Sequence, residues 1–338
     1  RKDSTTTLAF QTSSVIGRGA STTFILVKRQ LRRMSNARWL IIDTDAGVDD
    51  AVALCAGLKL QKEWGYEMKG ITTSFGNTAL ENVNLNVRKV VTNCMKDVGV
   101  STSSCPIYPG AERGLKGETA DASYFHGKDG LGDADYEEPV EATLEMTGAV
   151  DGIVRVAEEA KREGAELTVV TIGPLTNLAL AMQRDEGWME GVACLVVMGG
   201  CGNAHGNATR VAEFNVKADV TAASHVFKNF KRPLTVVSWD LCCGSPIPWN
   251  KFHATVGKEN HDSAVGAFLK SICRNIYSNE KDAEKRSGEG AVICDFLAVA
   301  CAIDDTVVKD KQMVNVEVET ADCITNGMTV VDWGCYDG

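Results

Sequence analysis

The run Leu40-Ile41-Ile42-Asp43-Thr44-Asp45-Ala46-Gly47-Val48-Asp49-Asp50-Ala51-Val52-Ala53-Leu54 constrains the fold more than any other part of this chain. An apolar segment ends in aspartates and then resumes as an Ala/Leu-rich helical pattern, which predicts a buried strand, a tight turn and a helix start. Four carboxylates therefore gather at one strand end. One or two of them can be helix caps, because an aspartate accepts from free N–H groups and suits the positive end of the helix dipole. Four like charges at one turn repel and raise one another's pKa unless a cation or fixed donors neutralise them. The cluster therefore reads as functional. Carboxylate oxygens with no nearby Cys/His pair favour a hard cation, Ca²⁺ or Mg²⁺, over zinc.

From Trp39 onward, short apolar runs alternate with helical patterns. Strands are expected at Trp39–Asp43, Lys69–Ser74, Leu167–Thr171, Cys194–Met198 and Leu234–Ser238, and later at Met313–Val318 and Met328–Asp332. Helices are expected at Asp50–Gln61, Thr78–Asp97, Val150–Glu163, Leu175–Arg184 and Asp219–Phe227. The early strands are rich in Val, Ile and Leu without alternation, as in a parallel sheet covered on both faces. The pattern predicts an α/β fold: a single doubly wound, mostly parallel, Rossmann-like sheet spanning 39–338. In such sheets ligands bind beyond the carboxyl ends of the strands. The residues to read are therefore Asp43 to Asp50, Gly76-Asn77, Ile172-Gly173-Pro174, Gly199-Gly200 and Trp239-Asp240. The Gly/Asp-rich region from Tyr108 to Glu138 is too long for an idle connection and is expected to be an active-site loop.

Charge and cysteine usage narrow the partners. The net charge is −10, yet residues 1–38 hold eight Lys/Arg against one acid, leaving 27 basic and 44 acidic groups in 39–338. A body that acidic repels a phosphate backbone, so nucleic-acid polymers are not expected partners. No apolar stretch approaches the roughly 20 residues that span a bilayer, so no membrane is expected either. The twelve cysteines are scattered without CxxC pairs, which fits reduced thiols in a cytoplasmic protein and gives zinc little support. The Ser/Thr- and Arg-rich segment 1–38, with Arg18 breaking its apolar residues, is read as a disordered leader or an organellar transit peptide and is set outside the fold. The chain stops at Gly338 just after a strand-like run, as a fragment lacking its last elements would.

Read together, these segments resemble the inosine-uridine preferring nucleoside hydrolases, whose signature DTDPGxDDAxAL is similar to Asp43–Leu54. Ser74-Phe75-Gly76-Asn77-Thr78, His126-Gly127 with Asp129-Gly130-Leu131-Gly132, Gly173-Pro174-Leu175-Thr176-Asn177, Glu213-Phe214-Asn215-Val216 and Cys294-Asp295 follow in the family's order. The resemblance implies hydrolysis of a ribonucleoside's N-glycosidic bond to ribose and a free base, a salvage reaction, through an oxocarbenium-like state. It implies a Ca²⁺ held by Asp45, Asp50, the backbone carbonyl of Ile172 and Asp295, with Asp45 also the general base toward water. Asp49, Asn77, Glu213, Asn215 and Asp295 would hold ribose hydroxyls, His126 and Met198 would line the substrate, and Asp43 would orient a ligand or donor. Relatives are commonly dimers or tetramers, so a homo-oligomer is expected.

Bland readings stand beside several of these. Glu213 and Asn215 can be polar residues beside a turn, Met198 and Ile172 core, His126 a loop histidine, and Asn177 a turn-ordering residue. Ala46 replaces the signature's proline, which is expected to loosen the turn's fixed φ and leave the carboxylates in place. Cys294 stands where many members carry a histidine that protonates the leaving base. A thiol can donate a proton, and a buried apolar cysteine explains it equally well. His253, His261, Trp239 and Tyr124 are alternative contacts on the base side.

Two other functions compete. Asp43-x-Asp45 also resembles the start of haloacid-dehalogenase-type phosphatases, where the first aspartate is a nucleophile and Mg²⁺ the metal. That reading leaves Asp50, Asn77, Glu213 and Asp295 unexplained, and the expected Gly-Thr is missing. A nucleoside or pentose binder without turnover would keep the carboxylates and lack the leaving-group histidine.

Overall fold

The computed structural model describes residues 6–10, 36–136, 139–256, 263–274, 290–334 and 336. Among the described residues the main sheet has nine strands: β1 (Thr6–Phe10), β2 (Arg38–Thr44), β3 (Glu67–Thr73), β4 (Ile107–Tyr108), β5 (Glu166–Thr171), β6 (Val192–Met198), β7 (Leu234–Val237), β8 (Asp310–Val318) and β9 (Thr329–Asp332). They lie in the order β9-β8-β1-β7-β6-β5-β2-β3-β4. From β7 through β4 the six strands are parallel, while β8 and β9 run antiparallel to their neighbours.

Alternation along β2 explains why the expected strands show no polar face. Leu40 and Ile42 enter a core formed with α1 (Val48–Lys59), α2 (Leu80–Val98), α6 (Ala264–Ile272) and α7 (Cys294–Ile303). Trp39 and Ile41 enter the opposite core, formed with α3 (Ala149–Glu163), α4 (Thr176–Arg184) and α5 (Val220–Asn229). Both sides of the sheet are thus removed from water, which requires apolar residues at successive positions. No helix among the described residues is long and apolar enough to cross a membrane.

Parts of the segment set aside as a leader belong to this sheet. Thr6–Phe10 pairs in parallel with β7 and antiparallel with β8, filling the place between them where their backbone groups would otherwise be unpaired. Arg38 opens β2, and its guanidinium donates to the carbonyls of Trp64 and Ile303, which fastens the start of the strand to two neighbouring segments. Arg18 lies outside the described residues, as does His261.

The chain leaves β2 toward β3 and β4, then returns to build β5, β6 and β7 on the other side. The strand order therefore reverses between β2 and β5. Ligands of doubly wound sheets bind at that crevice.

Candidate active site

At the switch point Asp43 is the last residue but one of β2 and is fully buried. Thr72 Oγ1 donates to its Oδ1 at 2.5 Å, Asn177 Nδ2 donates to the same oxygen at 2.7 Å, and Thr171 Oγ1 reaches Oδ2 at 3.5 Å. Burial pushes its pKa up to about 6 against these donors. A carboxylate so enclosed is an anchor between strands, not the exposed nucleophile that the phosphatase reading requires. Asn177 does more than order its own turn, because it also donates to the carbonyl of Thr73 at 2.8 Å and accepts from Ala111 N–H at 3.0 Å.

Asp45 and Asp50 form the next layer. Asn77 donates its backbone N–H to Asp45 Oδ2 at 2.8 Å, and its side-chain amide bridges Asp45 Oδ1 at 3.1 Å and Asp50 Oδ2 at 3.0 Å. Asp50 also caps its own helix, accepting from Gly47 N–H at 2.8 Å and from Thr44 Oγ1 at 2.5 Å. The close packing explains Gly76, where a Cβ would stand 2.0 Å from Asp45 Oδ2. Ala46 corrects one expectation. Its φ of +44° is not a loosened proline angle but one of opposite sign, which proline's ring forbids. Its N–H is held by Thr44 Oγ1 at 3.1 Å.

Asp49, Asp50 and Asp295 converge, with one carboxylate oxygen from each lying within 4.8 Å of the others. Asp295 sits in the first turn of α7 and Asp49 and Asp50 in the first turn of α1, so two helix N-termini face the same point. Asp45 is not in that triplet and joins it through Asn77 and Asp50. Burial, then neighbouring carboxylates, raises Asp295, Asp45 and Asp50, while burial takes Asp49 to about 6. Among the described ion pairs the cluster meets only His126, whose Nδ1 is 3.9 Å from Asp49 Oδ1. That imidazole is neutral, because burial lowers its pKa to about 4 and Nδ1 accepts from Val48 N–H at 3.0 Å. Packed carboxylates without a cationic side chain, all offering oxygen, fit a hard divalent cation.

The third wall lies beyond β5 and β6. Asn215 Nδ2 donates to the Ile172 carbonyl at 3.1 Å, to the Met198 carbonyl at 3.2 Å and approaches Met198 Sδ at 3.3 Å. Glu213 caps the short helix Phe214–Ala218, accepting from Asn215 and Val216 N–H, and accepts from Gly200 N–H at 2.9 Å. Burial raises its pKa to about 7. Neither residue is an idle surface polar group. Gly173, which follows Ile172, lies against Asp45, since a Cβ on it would stand 3.1 Å from Asp45 Oδ1.

Cys294 is buried at the start of α7. Its thiol shares a hydrogen bond with that of Cys242, and this contact, then burial, holds it well above the ordinary thiol range. His126 is buried, while Tyr124 and Phe125 beside it are 77% and 51% exposed. Sequence reasoning missed Thr44 and Thr72, which hold Asp50 and Asp43. Their signal was a hydroxyl at or next to the carboxyl end of a strand.

The model of the inosine-uridine preferring nucleoside hydrolase family matches residues 40–337. The chain is 33% identical to the inosine-uridine preferring nucleoside hydrolase of Leishmania major over 303 residues, 88% of each protein. It superposes on an inosine-guanosine nucleoside hydrolase with a TM-score of 0.74 at 29% identity, covering 88% of each chain. For a purine-preferring ribonucleoside hydrolase from Gardnerella vaginalis the TM-score is 0.72 at 26% identity, covering 89% of this chain and 90% of that one. The six segments that carry the resemblance meet at one crevice, and the match runs almost the whole length of the described domain: this chain belongs to the inosine-uridine preferring nucleoside hydrolase family.

Proposed function

We propose that the chain hydrolyses ribonucleosides with a bound Ca²⁺ and with Asp45 as the general base. Family membership makes it an N-glycosyl hydrolase acting on ribonucleosides. The observation that supports the finer reading is the convergence of Asp49, Asp50 and Asp295 beside Asp45 with no cationic side chain paired to them among the described residues. Asp50, Asp295, Asp45 and the Ile172 carbonyl would hold the ion, with Asp49 within reach. When bound, a calcium ion would gather water and ribose hydroxyls at one centre and make that water more acidic.

The protein groups do the rest. Asp45 takes the proton from the attacking water, and Asn77 fixes the carboxylate by occupying one position on each oxygen. Asp49, Glu213 and Asn215 hold ribose hydroxyls, so that the sugar is oriented and its contacts tighten as the ring flattens. Neutral His126, accepting at Nδ1, keeps its proton on Nε2 and can donate it to substrate. Met198 lies beneath the site, with its sulfur against Asn215. The Cys294 thiol is engaged with that of Cys242, and this reading gives it no part in releasing the base.

Ribose release from inosine, guanosine and uridine, measured as reducing sugar, tests this reading. It predicts turnover that a chelator abolishes and Ca²⁺ restores. Turnover that survives chelation, or tight nucleoside binding with no ribose released, would contradict it.

A further inference from the structure

We propose that Asn86 is a positioning residue for this hydrolysis, because its side-chain amide ties the turn presenting Asp45 to the loop that carries His126. Asn86 is buried on α2, on the helix face that otherwise presents Val83, Val87 and Val90 to the core. Its Nδ2 donates to the Asp129 carbonyl at 2.8 Å and to the Ala46 carbonyl at 3.2 Å. A primary amide carries two N–H donors on one nitrogen, so asparagine can serve two carbonyls at once. An aspartate, having only acceptors when ionised, cannot.

Asn86 is the inner rung of a polar ladder. Thr78, Asn82 and Asn86 stand four residues apart and project to one side. Asn82 Nδ2 donates to Thr78 Oγ1 at 2.9 Å and to the Lys128 carbonyl at 3.3 Å, and Thr78 Oγ1 donates to that carbonyl at 3.2 Å. The outer rungs grip only the loop; Asn86 alone of the three reaches the Asp45 turn. Gly130 is seated against the ladder with a φ of +82°, and a Cβ there would stand 2.8 Å from Thr78 Cγ2 and 3.0 Å from Asn86 Nδ2. The loop end is closed on itself, because Gly132 N–H donates to the His126 carbonyl at 2.6 Å and Asp129 Oδ1 accepts from Leu131 and Asp133.

The grip matters because of what it holds. Ala46 sits at φ +44°, a conformation costly for a residue with a Cβ, immediately after Asp45. Thr44 Oγ1 fixes its N–H and Asn86 fixes its carbonyl, so neither of the two peptide planes that flank Ala46 can rotate without breaking a bond. Release of the Ala46 carbonyl would let the turn relax and shift Asp45 relative to Asn77. Seating of the His126 loop and placement of the base are thereby one event.

The inference rests on the nucleosidase reading, and the test separates the two. Asn86→Ala removes the amide, and Asn86→Leu removes it while keeping most of the volume. Each is made alone and together with Ala46→Gly, and kcat and KM for inosine and uridine are measured per folded molecule, with folding followed by circular dichroism. Both single variants are expected to lose on the order of 10- to 100-fold in kcat, as small misplacements of a catalytic group do, with KM changed by less than about threefold. Glycine takes φ +44° without penalty, so Ala46→Gly is expected to return about tenfold of the lost kcat in the Asn86→Leu background. A kcat near that of the unaltered chain in both variants, or a loss that Ala46→Gly leaves untouched, would overturn the role of Asn86. An unaltered chain that releases no ribose would contradict the nucleosidase reading instead.

Discussion

The two sides of the site are built differently. On the side proposed to hold the sugar, Asp43, Asp45 and Asp50 are buried, and each accepts at least two hydrogen bonds from strand ends or adjoining turns. On the side where the base would leave stand the exposed ring of Tyr124, the exposed Cys243 and a thiol turned toward another thiol. The first is fixed by strand ends and helix starts; on the second, Tyr124 and Cys243 stand on short helices, while Cys294 shares the start of α7 with Asp295. On the proposed reading, the chemistry is carried by strand ends and helix starts, and contact with the base falls mainly to short helices and loops.

The largest effect expected from this difference is at Asp45. Asp45→Asn keeps the shape, loses one of the two bonds from Asn77 and removes the base, and kcat for inosine should fall on the order of 1000-fold. Full activity in that variant would remove Asp45 from its role. Next comes Asn177→Ala, which deprives buried Asp43, the Thr73 carbonyl and the Ala111 N–H of a partner. Unpaired buried polar groups make this cost about 3 kcal/mol of unfolding free energy in denaturant titrations. A loss below about 1 kcal/mol would show that the strand ends are not locked as described.

Glu213 gives a pH test between the two sides. Its folded pKa of about 7 lies above the unfolded carboxyl value, so its contribution to stability is complete below about pH 4.5 and is lost as pH rises through about 7. Glu213→Gln lacks that loss. The stability advantage of the unaltered chain over this variant, measured in chelator, should therefore shrink by about 2–3 kcal/mol from pH 5 to pH 8. A pH-independent difference would mean that Glu213 is ionised throughout. The smallest effect is expected at Cys294. Cys294→Ser should change kcat by less than about threefold, since a general acid in use contributes 100-fold or more. A drop of that larger size would place the thiol on the leaving base and make the two sides equally catalytic.

What the sequence revealed follows the same division. Asp43–Asp50, Asn77, Glu213-Phe214-Asn215 and Asp295 are short local motifs at strand or helix ends, so their chemistry is written in consecutive residues. The uninterrupted apolar runs of β2, β5 and β6 likewise announce strands covered on both faces. The strand Thr6–Phe10 was hidden because its five residues gain stability only from a long-range pairing with β7 and β8. The sign of φ at Ala46 was equally hidden, since it is imposed by Thr44 and by Asn86, forty residues on. The helices Trp249–Val256 and Ala264–Ile272 do not stand out in the sequence, because both are amphipathic segments that pack on the core through only one face.

The central claim is that carboxylates from two helix starts converge on one cation. Calorimetric titration of the chelator-treated chain with Ca²⁺ measures it directly. One site per chain is predicted, weakened 10-fold or more in Asp295→Asn and in Asp50→Asn alike, because each change removes a charged oxygen donor from the same centre. Undiminished Ca²⁺ binding in either variant, or none in the unaltered chain, would contradict it.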